Sequence, residues 1–377
     1  MNAVKPRKRR RFWKIAILAL FGVLSVGFAM LWFDEPDPLT NRESGESMQA
    51  IVYHGYGPPE VLRLETVKKL LPNDDQVLIK VRAAAVNPLD WHYMRGTPYV
   101  MRLDAGLRKP HDPRLGVDMA GEIEAVGSQV TQFKPGDRVF GVAPGSFAGY
   151  ALASPKRIAP MPAGTTFEQA AAVPVAAITA LQGLRDKGKL RAGQKVLING
   201  ASGGVGTFAV QIAHAFGAEV TGVCSTRNVE MVRALGADHV IDYKQEDFTQ
   251  GIERYDLVLD NVGIHPLSAL RSVLKPQGIL VLVGGGGPDA GNWIGPLARP
   301  LKALGMSPFV DQEMSMLLAN VNPDDLLLMN EMIESGKVKP VIDRTYGLSE
   351  VPEAIRYLEE GHARGKVIIT MAHESRP

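Results

Sequence analysis

The chain has 377 residues, 45% of them apolar, and a formal net charge of +2, so it carries enough apolar material for more than one core. That charge is lopsided, because Lys5, Arg7, Lys8, Arg9, Arg10, Arg11 and Lys14 precede every acid and leave 35 basic against 40 acidic residues elsewhere. A mildly acidic body excludes an electrostatic case for nucleic acid, which needs clustered cations against phosphate, and the single cysteine, Cys224, excludes an internal disulfide.

Residues 1–47 read as a basic tail, a transmembrane anchor over 15–33 and a linker. Ile15 to Phe33 is 19 residues without a charge, which at helical rise crosses the ~30 Å hydrocarbon layer of a lipid bilayer, and Trp13, Trp32 and Phe33 sit near its ends. The expectation is a single-pass membrane protein. Cations before the span and Asp34, Glu35 and Asp37 after it direct the body across the membrane, at odds with a cytosolic cofactor. A cleaved signal peptide is the competing reading, and Met48 is an alternative start for a form without the segment. Residues 34–47 are polar and rich in turn formers, as in a tether.

From Met48 to Tyr150, short β-like runs (50–53, 76–83, 121–126, 138–142 and 149–153) lie between Gly and Pro signals and predict a small β domain. Residues 87–113 read as a long irregular insertion, of a kind that is often functional. After Phe167, helical segments interrupted by Pro174 lead into alternating strands and helices: strands over 195–198, 219–224, 239–241, 256–260 and 279–283, with helices between them. Such alternation predicts a doubly wound parallel sheet. Two more helices, over 324–335 and 351–358, and a last strand over 366–371 complete the chain.

The strand at Lys195 runs into a glycine-rich turn and then a helix. Ala201, Ser202, Gly203, Gly204, Val205 and Gly206 form an AxGxxG turn in the strand–turn–helix setting that a dinucleotide fingerprint requires. A backbone without side chains admits pyrophosphate closely, and the helix start offers unpaired N–H groups. The competing role is close packing alone. The next strand ends in Cys224, Ser225, Thr226 and Arg227, without the acid that usually holds an NAD ribose. Hydroxyls and a guanidinium suit a 2′-phosphate instead, so NADPH is the expected cofactor. A solvated residue at a helix start is the alternative for Arg227.

From Met48 to Met371 the chain resembles the medium-chain dehydrogenase/reductases of the zinc-independent quinone oxidoreductase, or ζ-crystallin-like, branch. The resemblance is carried by GYGPPEVLRLE, AAAVNPLDWHYMRG, GVDMAGEIEAVGSQVTQFKPGDRVFG, GASGGVG, GADHVIDY and GHARGKVIIT. It implies an α/β protein with a GroES-like β-rich catalytic domain built from residues 48–168 and 311–377, a Rossmann NADPH-binding domain over 169–310, and a homodimer. Where the zinc branch has Gly, His, Glu, this chain has Gly116, Val117 and Asp118, and the cysteine expected near VNPLD is absent. No metal site is therefore expected, and Asp118 reads as a structural acid or a cleft hydrogen-bonder.

By the same resemblance, Asn87 faces the cleft, Tyr99 is the leading hydrogen-bond donor to the acceptor, and His92 stands where some relatives carry a tyrosine. Turn capping is the alternative for Asn87, and a surface or core position for His92 and Tyr93. Thr179 falls beside the nicotinamide, Tyr243 on the adenosine phosphate side, Asn261 and Gly284 at strand ends facing the cofactor, and Lys366 near it. Helix packing, turn chemistry and solvation are the competing roles. The expected activity is NADPH-dependent hydride transfer, without zinc, to a lipophilic quinone or α,β-unsaturated carbonyl. Two alternatives stay open: an alcohol dehydrogenase acting on alcohols or aldehydes, and a non-catalytic NADPH-binding membrane-associated protein.

Overall fold

The computed structural model describes residues 42–284, 293, 295, 298–306 and 310–371. Strand β1 (Arg42–Val52) pairs antiparallel with β2 (Arg63–Leu71), so part of the expected tether belongs to the folded body. Lys69 is buried and ion-paired to Glu46 and Glu124.

The first large sheet has seven strands. It takes in β3 (Val77–Val86), β4 (Asp118–Val126), β5 (Arg138–Val142), β6 (Tyr150–Ala153) and β7 (Ile158–Pro160), all antiparallel in their pairings. Between β3 and β4 the insertion folds into α1 (Pro88–Arg95) and a short turn of helix, α2 (Arg102–Ala105). Helix α1 starts at Asn87, whose N–H donates to Asp90 Oδ2 at 2.7 Å, with Pro88 at a position that needs no N–H.

Two helices, α3 (Phe167–Ala171) and α4 (Pro174–Gln182), lead out of this sheet. The second sheet then follows: β8 (Lys195–Asn199), α5 (Gly204–Ala215), β9 (Glu219–Cys224), α6 (Val229–Ala234), β10 (His239–Asp242), β11 (Tyr255–Asp260), α7 (Leu267–Ser272), β12 (Leu274–Leu282), α8 (Ala298–Met306) and β13 (Glu313–Met316). Its order is β10-β9-β8-β11-β12-β13, all parallel. The strand order reverses between β8 and β11, the switch point at which such sheets bind dinucleotides. Because β13 pairs with β12, this domain extends past the boundary expected at residue 310.

Helix α9 (Pro323–Glu334) then leads to β14 (Ile342–Gly347), α10 (Val351–Glu359) and β15 (Lys366–Thr370). Strand β15 pairs antiparallel with β3, returning the end of the chain to the first sheet. One apolar core joins the two sheets. Ala83, Ala120 and Phe140 share it with Ile178, Val196, Ile198 and Phe208, so the two sheets meet through close-packed side chains. Among the described residues no helix is long and apolar enough to cross a membrane; the segment 15–33 lies outside the described residues.

Candidate functional site

The glycine turn is built for close approach. Gly200 takes φ +78°, and a Cβ on Gly206 would stand 2.1 Å from the Gly200 carbonyl oxygen, so the third glycine is required by packing alone. Ala201 is fully buried and its N–H donates to the Val223 carbonyl at 2.9 Å. Val205 packs half-buried on the core. Helix α5 starts after Gly203 with no side chain capping it, so its first N–H groups face the turn without a protein acceptor from a cap. Across the switch point, a Cβ on Gly284 would lie 2.0 Å from the Asn261 carbonyl oxygen, and the buried Asn261 Oδ1 has no protein partner. The glycine turn and the uncapped helix start fit a dinucleotide pyrophosphate.

The turn is covered by the segment that enters β15. Gly365 N–H donates to the Ser202 carbonyl at 2.9 Å, and Gly203 and Gly365 form a parallel bridge. Toward the side expected to take the adenosine, Asn228 Nδ2 donates to Ser202 Oγ at 3.0 Å and to Ser225 Oγ at 3.1 Å. Asn228 therefore locks two expected contacts together, a role invisible in the sequence because it depends on the return of the helix after β9.

Thr226 donates to Asp242 Oδ2 at 2.6 Å, a bond that, first among its contacts, holds the Asp242 carboxyl below the usual carboxylate range. Beside it opens a groove of about 610 Å³ lined by Thr226, Val229, Glu230, Val240 and Asp242. Tyr243, half exposed, borders this end through its N–H on the Cys224 carbonyl. Arg227 is exposed and turns to the His362 carbonyl at 2.5 Å, away from the hydroxyl pair that the sequence grouped it with.

A second cluster lies where β3, β4, α4 and β15 meet. Lys366 is 3% exposed; its stem passes over Gly204, and its ammonium donates to the Val86 carbonyl (3.1 Å), to Asn87 Oδ1 (2.5 Å) and to Asp118 Oδ2 (3.3 Å). Asn87 gives its amide hydrogens to the Ala85 carbonyl (3.2 Å) and Asp118 Oδ2 (3.0 Å). The amide expected to face an acceptor is thus engaged inside the protein. Asp118 Oδ1 accepts from Val175 N–H at 3.0 Å, and Thr179 Oγ1 donates to the Val175 carbonyl at 2.6 Å. Burial pushes the Asp118 carboxyl up while Lys366 and Asn87 pull it back down. Asp90, fully buried, has one oxygen on the Asn87 N–H and the other without a partner, and burial raises it to about 7.

The third cluster is aromatic. Tyr99 meets Trp293 edge to face at 5.6 Å, and the Arg102 guanidinium lies 4.6 Å from the Tyr99 ring and 4.4 Å from that of Tyr56. The guanidinium sits between two rings and fixes both. Trp293, Leu103 and Leu107 are exposed around the insertion. His92 stacks on Trp91 at 3.6 Å with Nδ1 2.6 Å from the Thr97 carbonyl oxygen, and burial lowers its pKa. Because a carbonyl oxygen only accepts, the Nδ1 proton is used locally on Thr97.

Among the described residues no group of three or more His, Cys, Asp or Glu side chains is arranged to hold a metal ion. At the position of the zinc branch's ligands, Val117 packs against the core and Asp118 is taken up by three nitrogen donors.

Residues 73–163 match the family described as alcohol dehydrogenase GroES-like domain, and residues 235–369 the one described as zinc-binding dehydrogenase. The chain is 36% identical over 360 residues to the mitochondrial NAD(P)H oxidoreductase RTN4IP1 of Mus musculus, covering 86% of this chain and 89% of the relative. It is 36% identical over 338 residues to the 2-methylene-furan-3-one reductase of Solanum lycopersicum, covering 85% and 79%. The solved quinone oxidoreductase of Escherichia coli complexed with NADPH superposes with a TM-score of 0.73 at 25% identity, covering 85% and 99%. The membrane location expected from residues 15–33 is corrected: among the described residues no helix is long and apolar enough to cross a bilayer, and the mouse relative is named as mitochondrial.

Proposed function

The chain belongs to the medium-chain dehydrogenase/reductase superfamily as an NAD(P)H-dependent oxidoreductase of quinones or α,β-unsaturated carbonyls, and we propose that it uses NADPH and a lipophilic acceptor. The observation that carries this reading is the glycine turn at the switch point, with an uncapped helix start beneath it and the Gly365–Lys366 segment across it. When bound, NADPH supplies the hydride.

The protein's own part is to bind and orient. The first N–H groups of α5 take the pyrophosphate. Ser225 and Arg227 take the 2′-phosphate; Arg227 needs only to exchange one exposed backbone acceptor for a charged one, with which it pairs more strongly. Thr179, Asn261 and Gly284 border the nicotinamide. Tyr99 donates a hydrogen bond to the acceptor oxygen on which charge develops, and such a bond contributes most where water is excluded. The exposed Trp293 and Leu103 near Tyr99 favour an apolar acceptor.

The alcohol dehydrogenase alternative gains little from this geometry. Val117 offers no donor atom, and Asp118 already serves Lys366, Asn87 and Val175. Domain limits of 48–168 with 311–377, and 169–310, remain our division of the chain, with β13 moved to the parallel sheet. A homodimer is part of the proposal as well, since β13 is an edge strand of the parallel sheet among the described residues; light scattering at the monomer mass would reject it.

Deuterium transfer tests the chemistry itself. Reduction of an enone with NADPH deuterated at C4 should place one deuterium on the β-carbon of the saturated product. A label at the carbonyl carbon, giving an alcohol, would identify a dehydrogenase of the carbonyl instead.

A further inference from the structure

Asp118 opens β4 with no exposed surface, and three nitrogen donors from three separate elements converge on its two carboxylate oxygens. Oδ2 receives Asn87 Nδ2 at 3.0 Å and Lys366 Nζ at 3.3 Å; Oδ1 receives the Val175 N–H at 3.0 Å. Its backbone carbonyl accepts from Ser146 Oγ at 3.1 Å, which fixes the start of the strand. Every group around the side chain donates, so none accepts a carboxyl proton, and the arrangement is that of a carboxylate.

What these donors share is their position in the site. Asn87 ends β3 and begins α1, Lys366 begins β15 and crosses Gly204 of the glycine turn, and Val175 lies in the first turn of α4. One helical turn on, Thr179 donates back to the carbonyl of that same Val175. A single buried carboxylate therefore links Asn87, Lys366 and the backbone that carries Thr179 across the junction of the two sheets.

We propose that Asp118 is the positioning residue of the nicotinamide end: it acts through Asn87, Lys366 and α4, and sets the distance and angle between the catalytic sheet and the helix bearing Thr179. The inference rests on the reading that places these residues beside the nicotinamide. It gives the buried acid a role that needs no metal. The carboxylate neutralises Lys366, satisfies an α4 N–H that has no acceptor within its own helix, and orients the Asn87 carboxamide. Nothing at the adenosine end touches it, because Ser202, Ser225 and Asn228 form a separate network.

The test compares two ligands on the purified chain by titration calorimetry: NADPH, and 2′,5′-ADP, which carries the adenosine half alone. The variants are Asp118→Asn, which sets an amide donor against the others, and Val175→Pro, which deletes the N–H on Oδ1 in the first helical turn and exchanges the valine side chain packed on the core for a proline ring. Both should bind 2′,5′-ADP within twofold of wild type and NADPH ten- to a hundredfold more weakly. If Asp118→Asn fails to fold, Val175→Pro decides alone. Equal weakening of both ligands, or unchanged NADPH affinity in Val175→Pro, overturns the positioning role. Wild-type protein that binds neither ligand overturns the cofactor reading itself, and is distinguishable because it needs no variant.

Discussion

The Lys366 ammonium donates to the Asn87 carboxamide oxygen at 2.5 Å, tying the start of the last strand to the end of a strand 279 residues earlier. With Asp118 it forms a pair that is 3% and 0% exposed. Removing one partner of a buried ion pair strands the other charge. Lys366→Met should cost about 3–5 kcal/mol in stability, read from the urea midpoint at unchanged m-value. A loss below about 1 kcal/mol would show that the pair is not desolvated as the structure has it.

Asp90 sets a pH dependence. Burial raises its carboxyl to about 7, with Asp118 pushing the same way and the Asn87 N–H opposing, whereas in the unfolded chain it titrates near 4. Between about pH 4 and 7 the folded protein holds a proton that the unfolded chain has lost, so stability falls as pH rises through that window. The contribution is complete below about 4 and gone above about 7. Asp90→Asn keeps an acceptor for the Asn87 N–H and removes the titration, so relative to wild type it should gain stability with rising pH, by a few kcal/mol at most. Parallel stability curves for the two proteins would contradict the assignment.

Tyr99→Phe keeps the ring against Trp293 and Arg102 and deletes only the hydroxyl. Loss of one hydrogen bond to a developing oxyanion predicts a fall in kcat of roughly ten- to a hundredfold, with NADPH affinity unchanged. An unaltered kcat would move the donor role elsewhere, since Asn87 and His92 already spend their hydrogens inside the protein.

For Arg227 the expectation concerns discrimination. Arg227→Ala should raise KM for NADPH at least tenfold while leaving KM for NADH within about twofold, as a lost charge-assisted bond to phosphate implies. Equal effects on both cofactors would mean that Arg227 serves the His362 carbonyl alone.

Much of this architecture was legible in the chain, and the exceptions have physical causes. Strands buried on both faces, such as β8 and β11, are continuous apolar runs, and the glycines of the turn mark the only backbone that could lie so close to Ala201. Strand β2 escaped notice because Arg63, Glu65, Lys68 and Lys69 interrupt its pattern; only the fold shows Lys69 satisfied by two carboxylates. Helix α1 was read as loop although its signal, Asn87-Pro88 with Asp90 at the third position, stood in the sequence. The directions of Lys366 and Arg227 could not be read at all. Each depends on an acceptor more than a hundred residues away.

Steady-state oxidation of NADPH by the purified chain, across a panel of quinones, enones and saturated aldehydes, tests the central claim most directly. The account predicts turnover with quinones or enones, kcat/KM for the saturated aldehydes at least a hundredfold lower, and no dependence on added zinc. NADPH binding without oxidation by any acceptor, or turnover confined to the saturated aldehydes and restored by zinc, would contradict it.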